Sequence, residues 1–197
     1  MNRSGPARLR PLSDVLALPR RSPIHAELAR ALAAADALHL LHTDLDPVPV
    51  RPTATMSQAG AYRSRLEDPV DIRVSRSHGR IPISFLHELG HFVDHQHGWQ
   101  LGPALRRAVG SVPSRAPACA SAHHRRYFNS SREVWARSYA QTALTRSADP
   151  WLQRRLAALV EHDDAFVWPP GEFEPLAAAV EAVLADLGLL RQLVVAA

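Results

Sequence analysis

The first regular pattern of apolar residues begins just after a Ser-Pro pair. Ser22 is a good N-cap, and Pro23 suits the first position of a helix. The apolar residues that follow recur at helical spacing: Ile24, Leu28, Leu32, Ala35 and Leu38. This pattern predicts a helix from residue 23 to about residue 42 that packs over a sheet.

The next three apolar segments are typical of strands. They are VPVRP at 48–52, AGAYRSR at 59–65 and VDIRVS at 70–75, separated by polar or turn residues. In the last of them, Val and Ile alternate with Asp, Arg and Ser, which predicts one buried face and one polar face. We expect a small, mainly antiparallel sheet with 70–75 as an edge strand.

The spacing of apolar residues changes to about 3.6 after residue 80. An apolar stripe predicts a central helix from residue 84 to about 97, with Gly98 as its C′ residue. The stripe consists of Phe85, Leu86, Leu89, Phe92 and Val93. The rest of the chain is predicted to begin with a short helix at 103–110 and a Pro- and Ser-rich loop at 111–124. Three further helices are predicted at about 131–145, 150–162 and 173–187. The order of helix, sheet and then helices predicts an α+β fold, with a helical subdomain after the central helix.

The domain organisation predicted from composition is simple. Residues 1–22 are rich in Arg and Pro, and we expect a flexible arm there, followed by a single domain over 23–197. The arm has no continuous apolar segment typical of a secretory signal, and no segment has the eighteen or so apolar residues of a membrane span. The lone Cys119 excludes an intrachain disulfide. We expect a cytoplasmic protein without membrane contacts, although export by a signal-independent route stays open.

Charge is distributed unevenly along the chain. Residues 95–132 contain six Arg and four His but no acid, whereas residues 161–186 contain seven acids and no Arg. These segments could pack beside each other or face solvent. Alternatively, the basic segment binds an acidic substrate or a nucleic acid.

The central helix carries the motif H-E-x-x-H at His87, Glu88 and His91. Four helical residues turn through about 400°, so both imidazoles leave the same face, where they can bind one Zn²⁺ while Glu88 points at the open position. The motif therefore predicts one zinc ion, which needs one more protein ligand and a water.

Two residues compete for the place of the third ligand. His97 gives a pattern close to that of the metzincins, but Asp94 stands where they have Gly, and no Met follows the motif. Glu133, on the helix predicted at 131–145, would complete a His₂Glu site and is favoured. Ser130 and Glu133 also read as a capping box, in which Glu133 would serve only the helix start.

The segment FLHELGHFVDHQ, followed 42 residues after His91 by EVWARSY, resembles gluzincin-type zinc metallopeptidases. The likeness covers about residues 70–140 and is greatest to domains like the catalytic domain of anthrax lethal factor and to related zincins of toxins and phage polyvalent proteins. It implies a zincin-like fold, His87, His91 and Glu133 as zinc ligands and Glu88 as the general base. That family has a Tyr shortly before the ligand Glu, which implies a catalytic role for Tyr127.

The expected activity is zinc-dependent hydrolysis of peptide bonds by an endopeptidase. Glu88 would take a proton from water and pass it to the leaving amine, while Tyr127, His123 or His124 stabilises the oxyanion. Asp94 could orient a ligand His. The expected substrate is a protein or peptide, bound along strand 70–75 with Arg73 and Ser75 in the cleft, and an acidic one if the basic segment lines it.

Two other functions compete with this one. A DNA-associated regulatory protein would use the basic residues to bind phosphates, although the sequence contains no recognisable nucleic-acid module. A non-catalytic interaction domain would keep only the zincin scaffold, and the intact Glu88 argues against it. A second metal site at Cys119, His123 and His124 is weakly indicated and not favoured.

Overall fold

The computed structural model describes residues 8–54, 56 and 58–191. Its helices are α1 (Leu12–Val15), α2 (His25–Leu38), α3 (Ile81–Gln96), α4 (Leu101–Val109), α5 (Ala122–Phe128), α6 (Ser131–Arg146), α7 (Pro150–Glu161) and α8 (Pro170–Asp186). Its strands are β1 (Arg8–Arg10), β2 (Leu16–Ala17), β3 (Leu41–Thr43), β4 (Val48–Thr53), β5 (Gly60–Arg65) and β6 (Asp68–Ser75). The predicted α+β class is confirmed.

The four-stranded sheet is mixed, in the order β2-β4-β6-β5. β4 runs parallel to both β2 and β6, and only β5 and β6 pair antiparallel. The prediction of a mainly antiparallel sheet is therefore wrong for this sheet, although β1 and β3 form a separate antiparallel pair. The reason is that α2 connects β2 to β4, and a long connection of this kind permits parallel pairing.

The predicted edge strand is also corrected. Residues 70–75 belong to β6, which lies between β4 and β5, and the side chains of Ile72 and Val74 are fully buried. The edge is β5, which a tight turn at Leu66 (φ 54°) joins to β6. Arg73 and Ser75 lie on the opposite face of β6 from Ile72 and Val74, so neither side chain enters the cleft described below.

The predicted flexible arm does not extend over residues 8–17, which form β1, α1 and β2. Leu12 and Val15 are fully buried in the main core, and the Asp36 carboxylate accepts a hydrogen bond from the Leu12 amide. These elements are too short to show a periodic pattern, so no local pattern predicts them. Residues 1–7 of the predicted arm lie outside the described residues.

Helices α3 and α6 form the centre of the molecule and pack closely against each other. A Cβ atom placed on Gly90 of α3 would lie 2.9 Å from Cα of Ala136 in α6. Next to this contact, the indole of Trp135 donates a hydrogen bond of 3.0 Å to the carbonyl of Gly90. Among the described helices, none combines the length and apolar character needed to cross a membrane.

A histidine is buried in the core beside α6. Nδ1 of His39 donates to the Leu40 carbonyl at 2.7 Å, and the Tyr139 hydroxyl donates to Nε2 at 2.8 Å. Both ring nitrogens are therefore paired in the neutral form. Burial lowers the pKa of His39 to about 4, and the charges of His97 and Arg191 also favour the neutral ring.

We expect His39 to make folding depend on pH. The pKa of an unperturbed histidine is 6.5, so between about pH 6.5 and 4 the unfolded chain binds the extra proton and stability is lost as the pH falls. The loss from this one group should reach about 3 kcal/mol. Urea unfolding of the wild type and of His39→Gln at pH 7 and pH 4 measures it, and an equal pH dependence in both proteins would contradict it.

Candidate metal centre

The two histidines of the motif lie one turn apart in α3, with both imidazoles on the same face. The helix ends soon after them, because Gly98 and Trp99 both have a φ of 62°. Nearly all of α3 is buried, and His87 and Glu88 expose only 6% and 7% of their surface. A short segment of helix inside the core thus presents three polar side chains to one cleft.

The first turn of α6 brings Glu133 to these histidines. Ser130 caps this helix, with its hydroxyl accepting from the amide of Glu133 at 3.4 Å. The reciprocal half of a capping box is missing, because the amide of Ser130 donates to the Tyr127 carbonyl instead. The Glu133 carboxylate therefore faces the histidines and does not cap the helix.

The three side chains meet closely enough to hold a metal ion. Nε2 of His91 lies 3.2 Å from Oε1 of Glu133, and Nε2 of His87 lies 3.4 Å from Oε2 of the same carboxylate. The two Nε2 atoms are 3.2 Å apart. Tetrahedral coordination at usual zinc bond lengths separates ligand atoms by roughly 3.3 Å. The donor set and its spacing therefore fit one small cation.

Electrostatic interactions within this cluster are strong. Burial opposes a charge on Glu133, but hydrogen bonds and charge from His87 and His91 lower its pKa well below the usual range. Burial also disfavours the charged form of His91. The hydrogen bond and the negative charge of Glu133 favour that form more strongly, so the pKa of His91 is raised. The site thus keeps an ionised carboxylate in a buried position, which suits a cation.

Glu88 is positioned by the edge strand β5. The amide of Tyr62 donates to Oε2 of Glu88 at 2.6 Å. A Cβ atom on Gly60 would lie only 2.7 Å from Cγ of Glu88, so a larger residue at position 60 would displace the carboxylate. Sequence reasoning missed both contacts, although a glycine within a strand often marks a close approach.

Tyr127 projects from α5 beside the cluster. Burial raises the pKa of its phenol, and the charges of Glu133 and Glu88 raise it further. Arg137 holds α5 in place from α6: its Nη2 donates to the Phe128 carbonyl at 2.7 Å, and its guanidinium stacks 3.8 Å from the Phe128 ring. The other face of this guanidinium meets Trp168 at 4.7 Å.

These groups share an open cleft of about 450 Å³. Arg132 lies at its rim with its guanidinium 4.0 Å from the ring of Trp99. The lining residues are Gln58, Gly60, Ala61, Tyr62, His87, Glu88, His91, Trp99, Tyr127, Ser130, Arg132 and Glu133. From the basic segment 95–132, Arg132 is thus the cation that reaches the cleft.

Other candidates from the sequence lie elsewhere. Nδ1 of His97 donates to the Val93 carbonyl at 2.9 Å, and His97 is not part of the metal-binding group. Oδ1 of Asp94 accepts from the amide of Leu101 at 2.8 Å, and Oδ2 is buried without a partner among the described residues, so Asp94 does not bond to a ligand His here. His123 and His124 are exposed and do not line the cleft.

Comparison of the chain with protein families, with curated proteins and with solved structures gave no match.

We expect Gly90→Ala to weaken metal binding by separating α3 from α6. In an ordinary helix alanine is better than glycine by about 1 kcal/mol, but here the added methyl group meets Ala136 and should destabilise the fold by about 1–3 kcal/mol. Competition with a chelator measures affinity for divalent ions, and urea unfolding measures stability.

Gly79→Ala is the matched control for this change. A Cβ atom at position 79 has no neighbour within 4 Å, so the same substitution should leave both quantities unchanged. A Gly90→Ala protein as stable as the wild type, with the same metal affinity, would contradict the proposed close approach.

Proposed function

We propose that the chain is a zinc-dependent endopeptidase with a zincin-like fold of the gluzincin type. The observation that carries this proposal is the meeting of two histidines from α3 with a carboxylate from α6, at separations that fit a tetrahedral site. Glu88, one residue from His87, supplies a second carboxylate in the same cleft.

His87, His91 and Glu133 would hold the zinc ion. Two imidazoles and one carboxylate are a usual ligand set of catalytic zinc, which keeps a further position open for water or substrate. Zinc bound there would polarise a substrate carbonyl and lower the pKa of water to about 7. Mg²⁺ and Ca²⁺, which prefer oxygen ligands, fit this set less well.

Glu88 acts as the general base. Its carboxylate takes a proton from the attacking water and passes it to the leaving amine, so no covalent bond to the protein forms. The hydrogen bond from the Tyr62 amide fixes the carboxylate at the wall of the cleft. This contact uses one oxygen, Oε2, and leaves the other to accept the proton.

Tyr127 stabilises the oxyanion of the tetrahedral intermediate. A phenol is protonated at neutral pH, so the hydroxyl is available as a hydrogen-bond donor. More than half of its surface is exposed, so a bound substrate can reach the phenol.

The substrate is a peptide that lies along β5. Among the described strands it pairs with β6 alone, and its other edge faces the cleft, where Glu88 accepts from the amide of Tyr62. An extended peptide can add to such an edge through main-chain hydrogen bonds, which accept many sequences. Arg132 at the rim favours acidic side chains near the scissile bond.

Metal analysis and peptide cleavage together test the function. We expect about one zinc ion per chain in the wild type and in His97→Ala, and loss of zinc in Glu133→Ala. Glu88→Gln should keep its zinc but lose about 10²–10⁴ in cleavage rate, since it removes proton transfer alone.

Each alternative has its own result in that experiment. Loss of zinc only in His97→Ala would overturn the His₂Glu assignment. A zinc-loaded wild type that cleaves no member of a mixed peptide library would favour a non-catalytic interaction domain.

Tyr127→Phe tests the oxyanion donor. Removal of one such donor should lower kcat by about 10²–10³ and leave KM and zinc content nearly unchanged. Steady-state kinetics on a peptide that the wild type cleaves measures both constants. An unchanged kcat would exclude the phenol from the reaction.

A further inference from the structure

A second group of charged residues lies away from the cleft, on the outer face of the sheet and at the carboxyl ends of its parallel strands. We name it the arginine face. It consists of Arg20, Arg21, Arg51, Arg63, Arg73 and Arg76.

Three of these arginines share a single carboxylate. Arg63, Arg51 and Arg73 approach Asp71 at 2.6, 3.2 and 3.4 Å. The Asp71 side chain is 1% exposed, whereas the arginine side chains are 38–62% exposed. One negative charge thus holds three guanidinium groups in place from below, and two positive charges remain unbalanced at the surface.

Other arginine pairs of the described residues are balanced. Arg30 pairs with Asp149 and Arg80 with Asp164, while Arg146 contacts two glutamates. Asp71 differs from the carboxylates of these pairs because three arginines share it. Like charges in such proximity repel each other, and a bound anion relieves that repulsion.

The remaining three arginines surround an open cleft of about 550 Å³. Arg20 and Arg21 follow β2, and Arg76 follows β6. None of the three has an ion pair within the described part of the chain. Ser22 and Pro23, just before α2, line the same cleft, so the positive end of this helix adds to its potential.

The two halves of the arginine face adjoin each other. Arg51 directly precedes Pro52, which lines the cleft, and Arg73 is the register partner of Arg51. Neighbouring strands lie about 4.8 Å apart, so these guanidinium groups form a row across the sheet. Pro52 lies on the other side of β4, with Val50, so the cleft that contains Arg76 adjoins this row around the carboxyl end of the sheet.

The composition of this face indicates the kind of ligand. Its cleft is lined by Pro, Ser and Arg alone, without the aromatic anchors on which protein interfaces depend. Single-stranded nucleic acids also need aromatic platforms for their bases. A duplex needs none, because its phosphates supply the affinity, and guanidinium groups match phosphate in shape and charge.

We propose that the arginine face binds the phosphate backbone of a nucleic-acid duplex without reading its sequence. This interaction goes beyond the peptidase activity and does not rest on it, because no arginine of this face lines the metal cleft.

The test is binding of the full chain to a labelled 20-base-pair duplex, followed by fluorescence anisotropy between 50 and 200 mM salt. Five unbalanced arginines predict a slope of about −4.5 for log Kobs against log salt, or roughly a 500-fold loss over this range. The triple variant Arg20→Gln, Arg21→Gln and Arg76→Gln should reduce the slope by about 2.7.

The matched control replaces three other exposed arginines with Gln, for which the described part of the chain shows no ion pair: Arg107, Arg126 and Arg154. It makes the same change in net charge and should keep the wild-type slope. Glu133→Ala should also bind as the wild type does, which separates this site from the metal centre.

Four results would overturn the proposal. They are no binding at 50 mM salt, equal weakening in both triple variants, tighter binding of the single strand, and equally tight binding of a poly-glutamate peptide. The last result would identify the face as a docking site for acidic proteins.

Discussion

The close approach of α3 and α6 is the contact on which the rest of the site depends. Because Gly90 has no side chain, the backbone of α6 at Ala136 comes near enough for Glu133, one turn earlier, to reach both histidines. The Trp135 indole bonds to the Gly90 carbonyl and fixes the two helices along their length. A wider spacing would leave a buried carboxylate without partners, which is costly, so the packing and the polar cluster stabilise each other.

A second buried charge, on Arg137, connects α6 to the part of α5 that lies beside the cleft. Arg137 lies one turn beyond Glu133, and burial lowers its pKa to about 9. Its charge is tolerated because backbone carbonyls accept its N–H groups and two aromatic rings, Phe128 and Trp168, cover its faces. Since Phe128 follows Tyr127, this contact also determines where the phenol stands.

The sequence predicted the long elements and the centre of the site, and it failed where elements are short. The 3.6-residue stripe and Gly98 located α3 within a few residues, and helical spacing after Ser130 located α6 and Glu133. β2 has two residues and α1 four, too few to show a period, so the parallel pairing with β4 and the burial of Leu12 were not foreseen. The contact of Glu88 with β5 joins residues 26 positions apart, which no local pattern reveals.

Successive residues of β5 point to opposite sides of the sheet, so this strand contributes both to the cleft and to the arginine face. Gly60 and Tyr62 face α3, where they position Glu88, and Arg63, the next residue, turns to the other side and binds Asp71. A shift of one residue in the pairing with β6 would exchange these faces and place an arginine against the metal centre. The Asp71 pair with Arg63 therefore maintains the register that the cleft requires, in addition to holding the guanidinium groups outside. For this reason the outer face of the sheet and the position of Glu88 depend on the same strand.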